Sequence, residues 1–318
     1  MTNITVLDHL LVVNLDVRVW TARKKLTPSD LGDAQLPPED LASLGSKRVC
    51  DPEDLKIFGT LKARAANLLE RNGVRFLSGW AIPEAKSQEI ADELLRIRDE
   101  FEQTKQGFLA RYEQSVQDWI DKHPTWASII AGSTVSKEHV SSRLSFAWQM
   151  FRVIPPFAQN GGDLHDEVDK LGYTLFEEIA HDAADTWKRC FDGKREITRK
   201  ALSPLKTMQQ KLHGLSFLEP RVLPVTELIQ AALDSVPRRG AVDGNLLIML
   251  QGMVCLMQNP QALMEHGQKL LDGQQQADDV LRILEQSVFT QGVSEEMEDD
   301  DPSSQPLNKP IIESHGLW

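Results

Sequence analysis

The chain has 318 residues, of which 41% are hydrophobic and 26% charged, as in ordinary globular proteins with one large or two small domains. Its formal net charge of −12 falls to about −6 without six carboxylates clustered near the end, and this acidic balance disfavours duplex DNA or an anionic membrane as main partner. The three cysteines are widely spaced, which predicts a protein without disulfides in a reducing cytoplasm. The sequence has no signal-like N-terminus and no apolar run of about 18 residues, so we expect no export and no membrane contact.

The first elements are a strand and a helix. Apolar residues occupy every second position from Leu11 to Val19, which predicts a half-buried strand within residues 10–25. Asp51-Pro52 indicates the start of the first helix, and Asn72-Gly73 indicates its end.

A second strand is predicted at 74–82, before Pro83. A long, continuous helix should then run from 84 to 122, because His123-Pro124 cannot extend it. Its apolar spacing is regular for only about three heptads, which favours packing in a helical hairpin over an extended coiled coil. The residues expected along the buried seam are Ile90, Leu94, Ile97, Phe101 and Phe108.

The second half is dominated by helices. Residues 142–154 predict a third strand, with a helix as the alternative. A second long helix should begin at Asp163 and continue, with an interruption at Gly193, to about 203. Shorter helices are predicted at 224–236, 244–258, 260–273 and 276–289.

The order of elements predicts an α+β protein that is predominantly helical, with a small antiparallel sheet and long helices forming a hairpin or bundle. We divide it into an N-terminal α+β region (1–157), a helical region (158–290) and a disordered acidic tail (291–318). The tail combines like charges with proline and serine and has no apolar face. Its clustered carboxylates, which we treat as a candidate partner-binding segment, are Glu295, Glu296, Glu298, Asp299, Asp300 and Asp301.

Short catalytic and nucleotide-binding motifs are missing from the sequence. It contains no phosphate-binding loop, dinucleotide-binding glycine turn, nucleophile elbow, zinc-binding helix or paired Cys-x-x-Cys. We therefore expect no ATP hydrolysis by the chain itself, and we assign no catalytic residue and no cofactor.

One acidic stripe has the spacing of a metal site. Glu178, His181, Asp182 and Asp185 follow one another at i, i+3, i+4 and i+7, so they share one stripe of the second long helix. Glu-x-x-His is half of the carboxylate-bridged metal motif of helical bundles, and no second copy occurs in the chain. A solvated acidic face is the simpler interpretation.

A basic stretch follows the acidic stripe. Its aromatic neighbours Trp187 and Phe191 complete the combination that single-stranded nucleic acid requires. Pairing of these cations with a neighbouring acidic helix or with the tail is the alternative. The basic residues are Lys188, Arg189, Lys194, Arg195, Arg199, Lys200, Lys206 and Lys211.

The N-terminal third resembles a known family. The residues that carry the resemblance are 15–20 (LDVRVW), 44–48 (LGSKR), Asp51-Pro52, 61–64 (LKAR) and 76–83 (FLSGWAIP). The family is of unknown function, is carried by phages, plasmids and integrative elements, and is often encoded beside a MoxR- or CobS-type AAA+ ATPase, sometimes with a von Willebrand A-type protein. The resemblance is clear over about 85 residues and looser to about 290; it implies an ATPase partner and carries over no catalytic residue.

The sequence is compatible with three functions. The first is a non-catalytic accessory or adaptor protein of a mobile genetic element that acts with an AAA+ ATPase. The second is a nucleic-acid-associated protein of replication, recombination or phage defence that uses the stretch 187–211. The third is a metal-dependent enzyme built on the stripe 178–185.

Overall fold

The structure is a computed structural model that describes residues 4–31, 42–154 and 163–291. It confirms an α+β fold that is predominantly helical, with a small antiparallel sheet. Four strands form the main sheet in the order β4-β5-β1-β6, and the other four form two short ribbons, β2-β3 and β7-β8. The strands are β1 (Leu10–Arg18), β2 (Arg23–Lys25), β3 (Ser46–Arg48), β4 (Val74–Phe76), β5 (Gly79–Pro83), β6 (Ser145–Phe151), β7 (Glu196–Ile197) and β8 (Val242–Asp243).

Helices cover both faces of the main sheet. Those among the described residues are α1 (Glu53–Asn72), α2 (Ser87–Ala110), α3 (Tyr112–Lys122), α4 (Ala127–Ala131), α5 (Lys137–Arg143), α6 (Asp163–Asp169), α7 (Leu171–Thr186), α8 (Ser203–Gly214), α9 (Val222–Asp234), α10 (Gly244–Met257), α11 (Pro260–Leu271) and α12 (Ala277–Gln291). The sequence predicted α1 and α9 to α12 to within a few residues, whereas α4, α5 and α8 had not been predicted.

Strand β1 contributes to two hydrophobic cores. Val13 and Val17 point to the N-terminal core, which is built mainly from α1, α2 and α3. Leu10 and Val12 point to the C-terminal core, which is built mainly from α7 to α12. The predicted alternation is therefore confirmed, but both sets of positions are apolar at the start of the strand because both faces are covered there. The domain limits 1–157, 158–290 and 291–318 stay predictions.

Residues 74–82 form a hairpin, so the prediction of one strand is wrong. β4 and β5 pair across a tight turn in which Leu77 adopts a left-handed conformation, with φ of 52°. Such turns usually carry glycine or asparagine at that position, so Leu77 itself does not indicate a turn. β5 begins at Gly79, and glycine is required there because a Cβ atom would lie 2.3 Å from the Val13 carbonyl oxygen of β1.

The helix predicted at 84–122 is interrupted at Arg111, so its predicted continuity is wrong. The five seam residues from Ile90 to Phe108 are all buried, which confirms that part of the prediction. Three polar contacts hold the chain at the break. Arg111 and Ser115 both bind the carboxylate of Asp54 at the start of α1, and the Tyr112 hydroxyl donates to the Val135 carbonyl at 3.0 Å. The first turn of α3 is thus held at the N-terminal end of α1.

The second long helix also ends earlier than predicted. α6 and α7 bury one apolar stripe, but the chain leaves the helix at Phe191 through a π-helical turn, Trp187–Phe191. The buried residues of that stripe include Val168, Leu171, Leu175, Ile179 and Ala183. Gly193 then adopts a φ of +66°, and the chain enters β7 before α8 begins. Helical geometry therefore does not continue to 203.

The structure also describes the segment for which a strand and a helix were both considered. Residues 145–151 form strand β6 and not a helix, which confirms the third predicted strand. Within the described ranges no single helix is long and apolar enough to cross a membrane, although α10 and α11, bent by 107°, pass that test as a pair. The predicted disordered tail lies outside the described residues, apart from Gln291.

Replacing Phe101 by Ala should lower the free energy of unfolding by about 3–5 kcal/mol, because a fully buried ring leaves a cavity. The ring centroid of Phe101 lies 5.0 Å from that of Phe58 and 5.7 Å from that of Phe146. Urea unfolding followed by circular dichroism measures the change. Phe151→Ala is the control: its side chain is 44% exposed, so the change should stay below about 1 kcal/mol. Equal losses in the two variants would contradict this packing.

Candidate functional site

The most distinctive polar feature of the described chain is a cleft between α1, α7 and α8. Its volume is about 490 Å³. Because α1 belongs to the N-terminal core and α8 to the C-terminal core, the cleft lies where the two halves of the protein meet. Its walls are formed by Asn67, Glu70, Arg71, Asp182, Thr186, Arg189, Cys190, Lys200, Ser203, Pro204, Thr207, Met208 and Lys211.

Three exposed cations on the cleft have no ion-pair partner within residues 4–31, 42–154 and 163–291. Arg71 lies in the last turn of α1, Arg189 in the π-helical turn, and Lys200 just before α8. Arg189 Nε donates only to the carbonyl oxygen of Asp185, at 3.2 Å. Arg71, Arg189 and Lys200 therefore contribute positive charge to the cleft wall without forming an ion pair with a described carboxylate.

The π-helical turn sets the position of Arg189 and Cys190. Its wide backbone bond runs from the Asp192 N–H to the Trp187 carbonyl, at 2.9 Å. The side-chain amide of Gln251 on α10 donates to the carbonyl oxygens of Phe191 and Lys194, at 3.4 Å each. Turns of this kind occur frequently at functional sites, where the extra residue redirects side chains.

An ion pair joins the floor of the cleft to the main sheet. Lys211 Nζ lies 2.6 Å from Glu178 Oε2, and the Lys211 side chain is only 3% exposed. The other oxygen of Glu178 accepts the backbone N–H of Arg75 in β4, at 2.8 Å. Glu178 thus connects α7 to both α8 and β4, and Lys211 is a structural residue and not a free surface cation.

The four residues of the proposed metal stripe do not converge on one point. Glu178 is bound by Lys211 and Arg75, Asp182 lies in the cleft wall, and His181 and Asp185 are exposed. Across the described parts of the chain, no group of three or more His, Cys, Asp or Glu side chains is arranged to hold a metal ion. In the described geometry, both oxygens of Glu178 serve an internal hydrogen-bond network.

Asp182 has an unusual electrostatic environment. Desolvation raises the pKa of its carboxyl, and the nearby Glu178 adds to that effect, while Lys211 opposes it. A raised pKa in the folded state means that folding is favoured more when the carboxyl is protonated, so this group stabilises less as the pH rises through its folded pKa. The residue as a whole remains solvent-accessible on the cleft side.

The basic stretch separates into residues with different roles. Arg189 and Lys200 lie on the cleft, whereas Arg199 donates to the Pro237 carbonyl at 3.0 Å. Four further cations are exposed and are not among the residues that line the cleft: Lys188, Lys194, Arg195 and Lys206. Phe191 is fully buried and Trp187 stacks on it at 6.4 Å, so Phe191 cannot receive a base. The six tail carboxylates, Glu295 to Asp301, lie outside the described residues.

The contribution of α1 to this site could not be predicted from the sequence. Arg71 and Asn67 come from a helix more than a hundred positions before the basic stretch, and only tertiary packing brings them to it. The only signal in the sequence was a basic residue in the last turn of α1, which also complements the helix dipole without any ligand.

Lys211→Met should lower the free energy of unfolding by about 2–4 kcal/mol, because it leaves the Glu178 carboxylate without its cation; the loss is limited because Glu178 is partly exposed. Adding Glu178→Gln to that variant should recover part of the loss, since the glutamine oxygen still accepts the Arg75 N–H. Urea titration of the wild type, both single variants and the double variant measures the coupling. A change below about 0.5 kcal/mol in Lys211→Met would show that the pair does not anchor α7 to α8.

Comparison with protein families matches residues 7–259 to the family described as "Protein of unknown function (DUF3150)". No curated protein and no solved structure matches the chain. The matched span includes the main sheet, α1 and every residue on the cleft, and it ends at the start of α11. Since the match covers most of the sequence, the chain belongs to the DUF3150 family.

Proposed function

We propose that this protein is a non-catalytic accessory protein of a mobile genetic element that acts with an AAA+ ATPase of the MoxR or CobS type. The association with phages, plasmids and such an ATPase comes from the sequence resemblance at residues 15–20, 44–48 and 76–83. The family match over residues 7–259 is consistent with that resemblance and does not specify a function.

The observation that carries a binding role is the free edge of strand β6. It pairs with β1 through residues 145–151, and among the described residues no strand lies on its other side. None of its seven residues is charged, and Phe151 is 44% exposed. Natural edge strands usually carry charges, bulges or prolines that prevent further pairing, so an uncharged edge favours addition of a strand from a partner.

The acidic tail supplies a second potential contact. Its six carboxylates follow α12 after a few residues, and complementary charge accelerates and orients protein association. An AAA+ ring with basic residues on its rim or pore would fit such a segment.

A second candidate function is contact with single-stranded nucleic acid. It is favoured by the exposure of Lys188, Arg189, Lys194, Arg195, Arg199 and Lys200, which can all reach phosphate groups. Because Phe191 is buried in the C-terminal core, this contact would depend on phosphates more than on base stacking.

The edge contact is tested by co-purification with the ATPase encoded beside this protein in its native host. Ala147→Lys with Gln149→Lys places two charges at exposed positions of β6 and should reduce recovery of the ATPase at least about tenfold, because an approaching strand would have to bury them. Gln103→Lys with Gln106→Lys is the matched control on the exposed side of α2. Equal recovery with both pairs would remove β6 from the interface, and no recovery of any ATPase with the wild type would reject the adaptor function.

The tail is tested in the same assay by replacing its six carboxylates with Ser. Association should weaken most at low salt, where screening of exposed charges is least. The variant alone and the wild type alone should both hydrolyse no ATP, so any turnover measured in the mixture belongs to the ATPase. Recovery that is equal to wild type at every salt concentration would limit the tail to a role in solubility.

A further inference from the structure

We infer that the cleft between α1, α7 and α8 binds a phosphate group through Arg71, Arg189 and Lys200. This site is independent of the β6 edge and of any ATPase partner. It also differs from the basic stretch as a whole, since one of its three cations comes from α1 and most of the stretch does not line it.

Several cations elsewhere in the protein form ion pairs with carboxylates. Arg64 reaches Glu93 and Glu100, Arg111 reaches Asp54, and Lys122 reaches Asp51. Other exposed cations, such as Lys62 and Lys206, also have no ion-pair partner among the described residues, but they do not line the cleft. Arg71, Arg189 and Lys200 differ from them because all three line the same cleft. Repulsion between these cations is unfavourable in the free protein. An anion bound between their side chains would replace that repulsion with attraction.

The wall chemistry indicates phosphate as the preferred anion. Two guanidinium groups supply several donors in a planar fork, which suits the oxygens of a phosphate, and Lys200 adds a mobile charge. Ser203 and Asn67 add neutral hydrogen-bonding groups. No aromatic side chain lines the cleft, so a phosphate group and not a base would be recognised there.

Two carboxylates also line the cleft and limit its net charge. Glu70 is engaged by the guanidinium of Arg75 at 3.3 Å, and Asp182 lies beside the Lys211 ammonium. Lys211 is itself held by Glu178, which leaves Arg71, Arg189 and Lys200 as the cations free to move towards a ligand. The expected site is therefore small, with about three charge-assisted contacts.

A ligand held there would connect the two halves of the protein. Arg71 belongs to a helix of the N-terminal core, and Arg189 and Lys200 belong to segments that pack on the C-terminal core. Binding to the folded state alone raises the unfolding temperature, and the rise depends on ligand concentration.

The test compares two triple variants of the full chain with equal loss of charge. Arg71→Ala, Arg189→Ala and Lys200→Ala removes the cleft cations. Lys62→Ala, Lys206→Ala and Lys269→Ala removes three exposed cations that do not line the cleft. Circular dichroism establishes that both are folded, and affinity for inorganic pyrophosphate is measured by calorimetry and by the shift in unfolding temperature at constant ionic strength.

Pyrophosphate should bind the wild type and the control variant with affinities within about threefold of each other, and at least about a hundredfold more weakly to the cleft variant. Equal weakening in both variants would show general electrostatic attraction and would overturn the inference. Absence of pyrophosphate and oligonucleotide binding to the wild type would overturn it as well.

A labelled single-stranded oligonucleotide of about 15 nucleotides distinguishes the source of the phosphate. If the natural ligand is a nucleic acid backbone, the oligonucleotide should bind more tightly than pyrophosphate and be displaced by it. Three contacts predict a slope of about −2 in a plot of log affinity against log salt, whereas engagement of all six exposed cations of the basic stretch predicts about −4. A slope near −4 that is unchanged in the cleft variant would place the contact outside the cleft. Failure of ATPase co-purification would leave each of these outcomes intact.

Discussion

The fold depends on strand β1 being buried on both faces by different sets of helices. Val13 and Val17 pack among the helices of the N-terminal core, while Leu10 and Val12 pack among those of the C-terminal core. Because side chains alternate along a strand, a shift of one residue would move each set into the wrong core. The close approach of Gly79 to the Val13 carbonyl fixes the same register from the neighbouring strand, since any larger residue would collide there. The two halves are therefore aligned by one strand.

That alignment also produces the cleft. Once the C-terminal core is attached to the sheet, α8 lies against α1 and α7, and Lys211 reaches Glu178. Glu178 in turn accepts the Arg75 N–H of β4, so the ion pair is connected to the sheet itself. Arg71 and Lys200 face the same cleft only because this anchor holds their helices together. The site is thus a consequence of tertiary packing, and its cations lie far apart in sequence.

Periodicity predicted the parts of this structure that are determined locally. The alternation from Leu11 to Val19 and the seam from Ile90 to Phe108 reflect burial along one element, and the structure confirms them. The predicted ends of α1 also agree with its observed range to within a few residues. The predictions fail where a residue distant in sequence determines the local backbone structure. Leu77 adopts the turn conformation without being glycine because β4 and β5 both pair within the sheet. The predicted long helix breaks at Arg111, where Asp54 of α1 binds Arg111 and Ser115. No local pattern carries that information.

The candidate site shows the same limit in electrostatic terms. In the sequence, eight basic residues from Lys188 to Lys211 look equivalent, yet burial gives them different properties. Lys211 forms an ion pair with Glu178, Arg199 donates to a backbone carbonyl, and four others are exposed but do not line the cleft. The aromatic that seemed suited to stacking, Phe191, is part of the C-terminal core. A count of charges therefore overstates the binding capacity of the stretch and omits Arg71, which comes from another helix. What matters for an anionic ligand is which cations remain without a partner after the protein has folded, and only the packed structure identifies them.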